Sequence, residues 1–98
     1  MTIEIKRTTA ETVIELVGRL DTTTAPALDK TINEDIGDTK HLVLNIKGLE
    51  YISSAGLRVL LGAQKTMNKQ GTMVIRHVND TISEIFEVTG FCDILTIE

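Results

Sequence analysis

A chain of 98 residues with a net charge of −4, 42% hydrophobic residues and 3% aromatic ones has room for one domain, predicted to span residues 1–98, with a core of Leu, Ile, Val and Ala. The acidic balance argues against nucleic acid as a partner, and Tyr51, Phe86 and Phe91 are too scattered to make a base-stacking platform. The lone Cys92 can make neither an internal disulfide nor a Cys-rich metal site, and no apolar run nears the roughly 20 residues of a membrane span, so a cytoplasmic setting without membrane insertion is expected.

Ile3 to Lys6 alternates apolar and polar residues, as a half-buried strand does, and Thr12 to Leu20 alternates again with Ile14, Leu16, Gly18 and Leu20 on one side. The short link between them predicts an antiparallel hairpin. Thr24 is a candidate helix N-cap with Pro26 in the first turn. Leu28, Ile32 and Ile36 then recur at helical spacing before Gly37.

His41 to Ile46 reads as a buried strand, and Gly48 to Ile52 as a link to Ser53 and Ser54. From Ala55 to Gln70 the helical pattern is the clearest in the chain. Leu57, Val59, Leu60, Leu61, Ala63 and Met67 share one side, and Arg58, Gly62, Lys65 and Lys69 the other. Thr72 to Val78 predicts a fourth strand. Thr81-Ile82-Ser83-Glu84 reads as a capping box opening a short helix that Gly90 ends, and Ile94 to Ile97 as a last strand. Cys92 reads as a small buried residue. The expected fold is α/β: a mixed, mostly parallel sheet with an N-terminal hairpin and helices mainly on one face.

Enzyme chemistry finds little support. The seven glycines form no phosphate-binding loop, and there is no nucleophile elbow of the G-x-S-x-G kind. His41 and His77 sit inside strand patterns, and no His–carboxylate pair has metal-ligand spacing. No catalytic residue, metal site or cofactor is expected. Ser53 and Ser54 stand out, because they follow a strand and precede the longest helix. One of them is expected to be its N-cap. A helix head carries a partial positive charge and free N–H groups, so a phosphate on Ser54 would be tolerated there, and Arg58 lies one turn on.

The segment Tyr51-Ile52-Ser53-Ser54-Ala55-Gly56-Leu57-Arg58-Val59-Leu60-Leu61 resembles the signature of STAS domains, in the style of stand-alone bacterial anti-sigma-factor antagonists. Two further blocks match in order and spacing: Gly18-Arg19-Leu20-Asp21 with Thr24-Ala25 and Leu28, and Leu42-Val43-Leu44-Asn45 followed by Leu49. The resemblance implies a small βα domain with a mixed sheet. It also implies partner switching: the unphosphorylated antagonist binds an anti-sigma factor that is a serine kinase, is phosphorylated and released, and is reset by a phosphatase. By position the phospho-acceptor is Ser54. Ser53 stands where the family has Asp, and Ala55 where it has Ser or Thr. Asp21 matches the family's loop acid. The partner-binding surface implied comprises Asp21, Thr22, Thr24, Ser53, Ser54, Ala55, Gly56 and Arg58. The alternative is a constitutive accessory or scaffold subunit of a transporter or signalling complex.

Overall fold

The alternating N-terminal pattern folds as a hairpin. β1 (Thr2–Arg7) pairs antiparallel with β2 (Thr12–Leu20), setting Ile3 opposite Leu16 and Ile5 opposite Ile14. Thr8 ties the turn: its N–H donates to the Glu11 carbonyl, and its hydroxyl accepts from the N–H groups of Ala10 and Glu11. The structure, a computed structural model, describes residues 1–98.

From β2 onward the pairing is parallel. β3 (His41–Ile52) lies between β2 and β4 (Thr72–Arg76), so the sheet order is β1-β2-β3-β4. Parallel neighbours need crossovers. α1 (Ala25–Asp35) supplies the first and α2 (Ser54–Gln70) the second. The strand order advances in one direction and such crossovers are right-handed, so both helices must fall on the same face. α3 (Asp80–Thr89) joins that layer and contributes Ile82 and Phe86 to the core.

Inward positions alternate as the sequence predicts. Ile14, Leu16 and Leu20 of β2, Leu42, Leu44 and Ile46 of β3, and Met73 and Ile75 of β4 pack against Leu28 and Ile32 of α1 and Leu57, Leu60, Ala63 and Met67 of α2. The opposite face carries Glu15, Arg19 and Arg76 among its polar side chains. Val13, Val43 and Val74 stand abreast there in register, and Val43 and Val74 are buried although no helix covers them. Adjacent β-branched side chains shield one another across the strands.

Several expectations change. The stretch Gly48 to Ile52 is not a link but the second half of β3, paired with β2 through two register shifts. Those irregularities break strict alternation and hide the strand from a period-two pattern. α3 opens at Asp80, one residue before the predicted capping box. Asn79 is its cap, accepting from the Ile82 N–H at 2.8 Å and donating from Nδ2 to the Leu49 carbonyl at 2.8 Å. β4 stops at Arg76, and His77 takes a left-handed conformation with φ 63° and lies exposed. The last strand is a single bridge between Ile97 and Ile75, flanked by an Arg76–Glu98 ion pair at 2.9 Å. Cys92 is exposed: it lies in a 3-10 turn, Phe91–Asp93, from which Phe91 packs on the core.

Candidate functional site

β2 and β3 end in step, with Leu20 beside Ile52. The chain therefore leaves the sheet at two adjacent points, Asp21 and Ser53. The Ser53 N–H donates to the Leu20 carbonyl at 2.8 Å and fixes the head of α2 against the end of β2. This clip brings the two segments singled out in the sequence, Asp21–Thr24 and Ser53–Arg58, to the carboxyl end of the parallel strands.

The Asp21 loop is built from its own hydrogen bonds. Asp21 Oδ1 accepts from the Thr23 hydroxyl at 2.7 Å, the Thr23 N–H at 3.0 Å and the Thr24 N–H at 3.2 Å. The Thr24 hydroxyl donates to the Arg19 carbonyl at 2.8 Å and accepts from the Asp21 N–H at 2.9 Å. It makes no cap bond into α1. The Thr23 hydroxyl, first among these donors, holds the Asp21 carboxyl below the usual carboxylate range. Asp21 and Thr24 thus shape the loop, and Thr22 is left exposed at its tip.

Ser53 and Ser54 part company at the helix head. Ser53 has extended N-cap dihedrals (φ −96°, ψ 176°), and its carbonyl accepts from the Leu57 N–H at 2.9 Å. Its Oγ is shielded from solvent and has no hydrogen-bond partner. Ser54, the first helical residue, is exposed. Gly56 lies beneath them. A Cβ on it would come within 2.6 Å of Leu20 Cγ and 2.9 Å of Ile52 Cγ1, so only glycine lets α2 approach the strand ends this closely.

Beside the helix head a shallow groove of about 280 Å³ runs between α1 and α2. Ala25, Pro26 and Asp29 form one wall, Ala55, Arg58 and Val59 the other, and Thr22 one end. Arg58 is exposed, and neither it nor Asp29 belongs to an ion pair; the arginine–carboxylate pair in the structure is Arg76–Glu98. Of the predicted surface, Thr22, Ala55 and Arg58 line the groove, Ser54 stands exposed beside it, and Gly56 is buried. The α1 wall was not singled out in the sequence. Pro26 and Asp29, one helical turn apart, were its only signal. A cation–π contact, with the Arg19 guanidinium 4.5 Å from the Tyr51 ring centroid, was equally unmarked.

A one-directional mixed sheet with its helices on one face, and a solvent-facing serine where the second crossover begins, define a small α/β module whose distinctive chemistry lies on its surface. The chain belongs to the STAS domain family: the model of that description matches residues 2–98. It is 30% identical over 101 residues to the anti-sigma-B factor antagonist of Staphylococcus aureus, covering 99% of this chain and 94% of that one. Among solved structures it resembles an anti-sigma factor antagonist from Mycobacterium paratuberculosis, with a TM-score of 0.88 and 22% identity over 98% of this chain and 83% of that one. It also resembles the Bacillus cell fate determinant SpoIIAA in its phosphorylated form, with a TM-score of 0.76 and 20% identity over 99% of this chain and 91% of that one. The expected family and fold are therefore borne out. No helix is long and apolar enough to cross a membrane.

Proposed function

We propose that this protein is an anti-sigma-factor antagonist that works by partner switching, with Ser54 as the switch. With Ser54 free, the surface around the head of α2 and the α1–α2 groove binds an anti-sigma factor that is also a serine kinase. In the transfer step the Ser54 hydroxyl oxygen attacks the γ-phosphorus of ATP. The bond from that phosphorus to the β–γ bridging oxygen breaks, ADP leaves with the electron pair, and the hydroxyl proton passes to a base on the kinase. The product carries roughly −1.5 to −2 added charges at neutral pH, on a surface that had been docked without them. A phosphatase restores the hydroxyl.

One observation carries this reading: the two adjacent serines differ in access. Ser54 is exposed, whereas the Ser53 oxygen is shielded. The helix head suits the modification, because the positive end of the helix dipole offsets the added charge and spares the fold. The antagonist relatives, and the phosphorylated state of a structural neighbour, support the same role. The experiment is phosphorylation by the serine-kinase anti-sigma factor of the same genome, with the labelled site mapped by mass spectrometry. Label is expected on Ser54 and is abolished in Ser54→Ala. Label on Ser53 with Ser54 unmodified overturns the assignment.

A further inference from the structure

Arg58 has two places it could serve, and the structure commits it to neither. It lies one helical turn beyond Ser54, the spacing at which helix side chains meet. It also lines the groove whose walls are the apolar groups of Ala25, Pro26, Ala55 and Val59. Its guanidinium has no ion-pair partner in the free protein, and Asp29 on the opposite wall is also unpaired. An exposed cation set against an apolar floor, with an acid facing it, matches a specific kind of protein surface. That surface inserts an apolar side chain and presents a carboxylate towards Arg58 and a base towards Asp29. The groove adjoins Ser54 through Ala55, so an occupant would lie beside the switch residue.

We infer that Arg58 is the cation that the switch redirects: it pairs with a carboxylate of the docked partner when Ser54 is free, and with the phosphate when Ser54 is phosphorylated. This rests on the partner-switching reading above and supplies its coupling. A phosphoserine dianion competes for a guanidinium better than a single carboxylate does, because it offers more charge and more acceptor oxygens. Phosphorylation then acts twice. It places charge where the partner sits, and it draws the groove's only cation away from the partner's acid. No movement of the backbone is needed.

The test installs phosphoserine at position 54 during translation, so that no kinase is required, and compares wild type with Arg58→Gln and Arg58→Lys. Phosphorus NMR titration reads the second phosphate ionisation. An arginine held against the dianion lowers that pKa by about 0.3 unit relative to Arg58→Gln, the scale of an exposed pair one turn apart. Arg58→Lys is expected to recover part of that shift, and Lys65→Gln, on the same helix but further from Ser54, none of it. Identical titrations for wild type and Arg58→Gln overturn the phosphate half.

Binding to the same genome's anti-sigma factor tests the other half. Unphosphorylated Arg58→Gln is expected to bind about fivefold more weakly than wild type. Equal affinity overturns it. Either failure leaves the partner-switching reading standing, because that depends on whether phosphorylated wild type releases the partner, which is measured separately.

Discussion

Replacing Gly56 with alanine tests the packing that sets the position of Ser54. The new methyl would meet Leu20 Cγ at 2.6 Å, Ile52 Cγ1 at 2.9 Å and Leu20 Cδ2 at 3.0 Å. Neither neighbour can yield into solvent, since Leu20 is 0% and Ile52 2% exposed. Overpacking of this kind costs about 1–3 kcal/mol, and the helix preference of alanine over glycine returns about 1 kcal/mol. The expected net change is a loss of about 0–2 kcal/mol, and each kcal/mol lowers Tm by about 4–8 °C in a domain of this size. Gly62 provides the control within the same helix. It is exposed and nothing lies within 4 Å of its added methyl, so Gly62→Ala should gain about 0.5–1 kcal/mol. Chemical denaturation with a shared m-value reads both variants. Gly56→Ala as stabilising as Gly62→Ala would refute the close approach of α2 to the strand ends.

Three other outcomes follow from the structure. Thr23→Ala removes the main donor to Asp21, so carbon NMR should show the Asp21 pKa rising towards the usual value of about 3.9. Because folding depresses that pKa, its contribution to stability is complete above the unfolded value and lost as pH falls through the folded one. Thr23→Ala should therefore lose less stability than wild type on acidification below about pH 4. Gln64 is 5% exposed and its Oε1 has no partner, so Gln64→Met, of similar volume, should raise stability by about 1 kcal/mol in urea denaturation. His77→Val forces a β-branched residue to φ 63°, with an expected loss of about 1–2 kcal/mol, whereas His77→Asn should stay within about 0.5 kcal/mol of wild type.

The sequence discloses most of the frame, because alternation and helical spacing report directly which side of an element is buried. Ile14, Leu16 and Leu20 mark β2, and Leu57, Leu60 and Met67 mark α2, without any tertiary information. The misses share a cause: features settled by a distant part of the chain. The second half of β3 is held by pairing with β2 across two register shifts that disturb its own pattern. The cap of α3 went to Asn79 over Thr81 because the Asn79 side chain also reaches the Leu49 carbonyl. Ser54 was legible from its place between a strand and a helix. The groove beside it was not, since its walls lie about thirty residues apart in sequence and meet only when α1 packs on α2. Asp21 was located by the resemblance, but what it does is visible only in the folded loop, where its carboxylate is occupied by the donors of Thr23 and Thr24.

The most direct test of the switch is the affinity of the unphosphorylated protein and of its Ser54-phosphorylated form for the anti-sigma factor of the same genome, measured side by side by calorimetry. Partner switching predicts tight binding of the free form and at least about a hundredfold weaker binding of the phosphorylated form, or about 2.7 kcal/mol. Equal affinities would contradict it and identify a constitutive subunit instead.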